Sequence, residues 1–140
     1  MESISLQQLK IVEDQLRQIR ESIHSLEIWN GPLNSIEELL TSPDGMKTLA
    51  ADCMLIEAIG EGIKRIDERT HQELLPHRPE IPWKAVKGMR DHIAHGYFDI
   101  NTDLVWDVVK NDLPALRDAI DYFIEHLYEI IEYTERAKQE

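Results

Sequence analysis

Apolar positions along the chain recur at steps of three and four, the period of an amphipathic helix rather than of a strand. Leu9, Val12, Leu16, Ile19, Ile23, Leu26, Trp29 and Leu33 mark one such stripe along a long first helix. Gly31 and Pro32 interrupt it. Ser35 and Glu38 have the spacing of a capping box and predict a short helical turn. Ser42 followed by Pro43 reads as an N-cap with proline at the first helical position. The second helix it opens carries Met46, Leu49, Cys53, Ile56, Gly60 and Ile63, and Leu55, Ile59 and Ile66 widen that face. A face so broad predicts packing on more than one side.

Residues 70–82 hold three prolines and no sustained period, so they are expected to form a loop. Pro82 opens a third helix with Val86, Met89 and Ile93 on one face, and Gly96 suits its C-terminal cap. A turn around Asp99 to Asn101 leads to a short helix from Asp103 to Lys110. Asp112, with Pro114 just inside, then starts the last helix, whose apolar line is Leu116, Ile120, Phe123, Leu127 and Ile130. Nothing alternates with period two long enough for a sheet. The expected fold is a single all-α domain over 1–140, an up-and-down four-helix bundle with one or two short extra helices.

Composition narrows the function classes. At 140 residues, with 42% hydrophobic and 30% charged positions, the chain is globular in character and supports one core. One cysteine, Cys53, excludes a disulfide scaffold and a four-cysteine zinc site. No apolar run is long enough to span a membrane and no signal-peptide layout opens the chain, so a cytoplasmic protein is expected. The net charge of −12 opposes a phosphate backbone overall, but it is unevenly spread. From Lys64 to His95 seven Lys and Arg stand against five acids, which leaves −14 for the rest, and four of the six histidines lie in that window.

Several constellations carry little. Glu21 and His24 have the Glu-x-x-His spacing, but a carboxylate-bridged metal centre is not expected there. His92 and His95 lack further ligands, so no metal and no cofactor is expected. Cys53 falls on an apolar stripe as a core residue. Gly60 and Gly62 lie inside a helical pattern and suit close helix approach rather than a phosphate loop.

The informative stretch is Trp83 to Phe98, which holds Arg90, His95 and Tyr97. Arginine's planar fork matches two phosphate oxygens and stabilises developing charge. Histidine titrates near neutrality and can take or give a proton. RNA brings its own nucleophile, the 2′-hydroxyl, so the pair needs no metal. On one regular helix a five-residue offset turns the two side chains about 140° apart. Either the helix loosens before His95, or a second copy of the chain completes the site, since an isologous interface brings a patch to meet itself. The plain alternative is structural: Arg90 paired with Asp91 or Glu61, and His95 capping the helix.

Ile56–Gly62, Ile81–Tyr97, Val105–Val109 and Leu113–Leu116 occur in an order that resembles the HepT-like family of HEPN domains, over essentially the whole chain. The resemblance implies a HEPN-type bundle and a ribonuclease toxin of a type II-like toxin–antitoxin pair. Arg90 and His95 match the family's Arg-x4-His-x-Tyr motif and would be its catalytic residues, acting without a metal across a homodimer cleft. Asp91, often Asn in relatives, would orient one of them. Tyr97 matches the tyrosine that the cognate antitoxin, an MntA-like minimal nucleotidyltransferase, modifies with AMP. The reading from another class is a non-catalytic helical module that binds a nucleotide or a partner.

Overall fold

The computed structural model describes residues 3–94 and 99–139. Three long helices dominate: α1 (Leu6–Asn30), α2 (Pro43–Arg69) and α6 (Leu113–Gln139). Between α2 and α6 lie three short ones, α3 (Trp83–Lys87), α4 (Met89–Ile93) and α5 (Thr102–Asp107). Single 3₁₀ turns cover Ile36–Leu39 and Leu75–His77. No described residue belongs to a strand beyond one isolated bridge, so the all-α class holds.

Long-range bonds set the topology. Asn30 reaches Asp52 and Arg69 reaches Gln8, so α2 runs antiparallel to α1. Tyr128 meets Glu13, and Arg20 meets Asp121, so α6 is also antiparallel to α1. The two helices flanking α1 are thus parallel, and the chain must return along the bundle between them. Lys87 pairs with Asp67 and Arg90 stands beside Glu57, so α3 and α4 make that return as the third member.

Local chemistry explains most boundaries. Ser5 and Ser42 accept backbone N–H bonds from Gln8 and Gly45, capping α1 and α2. Glu38 accepts from the backbone N–H groups of Asn34 and Ser35, which hold its carboxyl below the ordinary value. Gly45 is required by packing, because a Cβ there would fall 1.9 Å from the Glu38 carbonyl oxygen. The loop from 70 to 82 is well anchored, with Thr70, Glu73, Leu74, Leu75 and Ile81 buried.

Four expectations need correction. The third helix is broken at Gly88, whose φ of −99° and ψ of 10° leave the helical track. It also ends early: Ala94 is extended, two residues before Gly96, and bridges Ile100. The short helix after Asn101 and the last helix form one continuous run joined by a wide π turn over Val108–Asp112. There Leu113 N–H bonds to Val108 O, and this widening accommodates Pro114, which cannot donate to a regular turn. Lastly, Trp29 and Met46 are 41% and 59% exposed. Asn30 takes the inward place beside Trp29 by bonding Asp52, and Gly45 takes the one beside Met46 against the 3₁₀ turn.

The Asn30–Asp52 pair is fully enclosed, yet Asn30 Oδ1 and Asp52 Oδ2 have no hydrogen-bond partner. Burial pushes the Asp52 carboxyl up from 3.8 to about 6, against the opposing effect of the Asn30 bond. The folded chain therefore holds this proton more tightly than the unfolded chain. Wild-type stability falls as pH rises from about 4 to 6, and the deficit, on the order of 3 kcal/mol, persists above that window. Asp52→Asn removes the charge and supplies an N–H for the Asn30 oxygen. Thermal melting should show the variant above wild type at pH 8 and level with it near pH 4. A variant melting lower at both pH values would overturn this account.

Candidate nucleic-acid site

The motif helix is held at its base and open at its tip. Trp83 is fixed where α3 begins, its indole N–H donating 2.9 Å to the Arg78 carbonyl and its ring 5.8 Å from Phe123. Gly60 lets α3 approach α2 closely, since a Cβ there would meet the Val86 carbonyl oxygen at 2.9 Å. The Lys87 ammonium reaches Asp67 Oδ2 at 2.7 Å. Beyond Gly88 the constraints thin out.

Arg90 sits on α4 with its side chain 67% exposed. Its neighbour is Glu57 of α2, with Nε 3.9 Å from Oε1, and neither Asp91 nor Glu61 forms the pair. An exposed contact of that length contributes little, so the guanidinium fork remains available to an anion. Asp91 is exposed in the same turn. His92 is exposed as well and helps line a groove of about 300 Å³ with Met89, Leu104 and Val108. His95 and Tyr97 lie outside the described residues, together with Gly96 and Phe98.

The end of α4 answers one geometric question. Because Ala94 is already extended, α4 ends before residue 95 and no regular helix continues past Ile93. Asn101 N–H bonds to the Ile93 carbonyl and Asn101 then caps α5 through Leu104 N–H. Ala94 lies opposite Ile100 in an antiparallel bridge.

Much of the basic window is wired internally. Lys87 is tied to Asp67, Arg69 to Gln8, and Arg78 to Glu80 while lying over the Tyr122 ring. Lys64, Arg65 and Lys84 remain exposed. No group of three or more potential metal ligands occurs among the described residues. Burial, with Asp52 and Glu57 nearby, raises the Cys53 thiol to about 11, so it is no nucleophile at neutral pH. No described helix is long and apolar enough to cross a membrane. Two positioning groups escaped the sequence reading: Glu57 beside Arg90, and Asp67 beneath Lys87. Gly60 faces α3, and Glu57 and Asp67 share that side of α2, a signal legible only once α3 is known to pack there.

Comparison with known proteins places the chain in a family. The profile of a family described as ribonuclease HepT-like matches residues 12–123. A protein of Thermococcus cleftensis named "Probable ribonuclease HepT" is 33% identical over 108 residues, covering 75% of this chain and 88% of that protein. A protein of Methanocaldococcus jannaschii named "Putative RNase MJ0127" is 37% identical over 68 residues, or 49% of this chain. The match spans about half of that second relative, 53% of its length. No solved structure matches the chain.

Proposed function

The chain belongs to the HepT-like ribonuclease family, and from that premise we propose that it is a metal-independent RNA endonuclease, the toxin of a toxin–antitoxin pair. The observation that carries the reading is the exposed, loosely held Arg90 guanidinium on a helix that ends three residues later. Arg90 grips the scissile phosphate through two oxygens and stabilises the charge that builds on them. His95 takes the proton of the 2′-hydroxyl, or gives one to the departing 5′-oxygen. The 2′-oxygen bonds to phosphorus as the bond to the 5′-oxygen breaks, leaving a cyclic phosphate and a free 5′-hydroxyl. Two protomers supply these groups to one shared groove, and Asp91 orients them.

The direct test is cleavage of total cellular RNA by the purified protein in EDTA. Fragments ending in a cyclic phosphate support the reading. Intact RNA, from a chain whose expression leaves growth unchanged, favours a non-catalytic binding module instead.

Tyr97 gives the regulatory half of the proposal. AMP added there by a cognate MntA-like nucleotidyltransferase places a negative phosphate and a base beside the groove, repelling and blocking RNA. Co-expression with that enzyme should raise the mass by one or more AMP units. The Tyr97→Phe protein should stay unmodified. Modification of the variant would assign the regulatory role elsewhere.

A further inference from the structure

Among the described residues, the outer face of α2 has no partner. Met54 is 70% exposed and points away from the buried line of that helix. Ala50 and Ala58, one turn to either side, are exposed too, and Ala51 is half-buried beside them. Charges of opposite sign frame this patch. Lys47 lies seven residues before Met54 and Glu61 seven residues after it. Neither has an ion-pair partner among the described residues.

Seven residues make nearly two helical turns, so Lys47, Met54 and Glu61 fall within about 20° per step along one line. Such a line is complementary to itself reversed. About a twofold axis beside Met54, Lys47 meets Glu61 of a second copy at each end, roughly 10 Å from the axis. The two methionines pack at the centre, and the alanines allow the helices to approach closely.

We propose that a second copy of this chain docks on this face, by antiparallel packing of α2 against α2 centred on Met54. The proposal names the interface of the homodimer and rests on the shared-groove reading only for its consequence at Arg90. On one flank of α2 lies α1, with Gly62 against Ile19, and on the other lies α4, with Glu57 beside Arg90. A twofold axis perpendicular to both helices returns each flank to its own side. Both Arg90 side chains then stand on the same flank of the seam, facing each other across the axis. Glu57 is one turn from Met54, so the two guanidinium groups converge where one RNA strand can meet both.

Cross-linking tests the register. Met54→Cys in a Cys53→Ala background, oxidised with copper phenanthroline, should give a disulfide-linked dimer on a non-reducing gel. Lys10→Cys in the same background should stay monomeric, since Lys10 is exposed on a different helix. In sedimentation equilibrium Lys47→Glu should weaken the dimer about tenfold or more, because symmetry reverses two pairs at once. Adding Glu61→Lys should restore it. A wild-type dimer that neither cross-links through residue 54 nor responds to Lys47→Glu would overturn this interface while leaving the shared groove standing. A wild-type chain that sediments as a monomer throughout would overturn both.

Discussion

If the proposed mechanism holds, His95→Ala should lower the rate of RNA cleavage in EDTA by about 10²–10⁴-fold, the range contributed by a positioned proton-transfer group, while circular dichroism stays that of the wild type. Arg90→Ala should cost about 10²–10³-fold, as expected for removing one group that stabilises charge in the transition state. The lysine variant separates shape from charge. Arg90→Lys keeps the positive charge and loses the planar fork, so it should recover binding of RNA better than it recovers the rate. The loose contact with Glu57 makes Arg90 a clean target, because an exposed pair with Nε and Oε1 3.9 Å apart contributes little to folding. Full activity in His95→Ala would remove that residue from the mechanism. Equal losses of binding and rate in Arg90→Lys would reduce the arginine to a general attractor of phosphate.

Phe123→Ala destabilises the fold by about 3–5 kcal/mol, the cost of emptying a buried aromatic site. Phe123 is fully buried on α6, with its ring 5.8 Å from Trp83 and 6.0 Å from Tyr122. It backs the tryptophan from which the motif segment sets out, so its loss should loosen α3 as well as lower the melting temperature by roughly 10 °C or more. Tyr133→Ala is the matched control. Tyr133 is 70% exposed on the same helix, and its removal should change stability by no more than about 0.5 kcal/mol. Similar shifts for the two variants would mean that Phe123 does not anchor the core as its burial indicates.

The parts of this molecule legible in the chain are those decided within one or two helical turns. Ser42 before Pro43, and Ser35 with Glu38, announce their helix starts because capping bonds span only three residues. The stripes from Leu9 to Leu26 and from Leu116 to Ile130 reveal their buried faces because the helix period alone groups those residues. The break at Gly88 is different. A glycine lowers helix propensity by only about 1 kcal/mol relative to alanine, so whether it interrupts the helix depends on what the segment packs against. Likewise Glu57 and Glu61 are one turn apart on α2, and the line taken by α4 selects the first of them for Arg90.

The amino-acid order alone thus determined the helical class, the caps and most of the inward stripes, all of which depend on near neighbours and a repeating period. Tertiary structure decided where α3 gives way to α4, how Pro114 is absorbed into a π turn, and which acid stands beside Arg90. Those outcomes arise from contacts between segments far apart in the chain, where the close approach of one backbone to another outweighs the modest preferences of single residues.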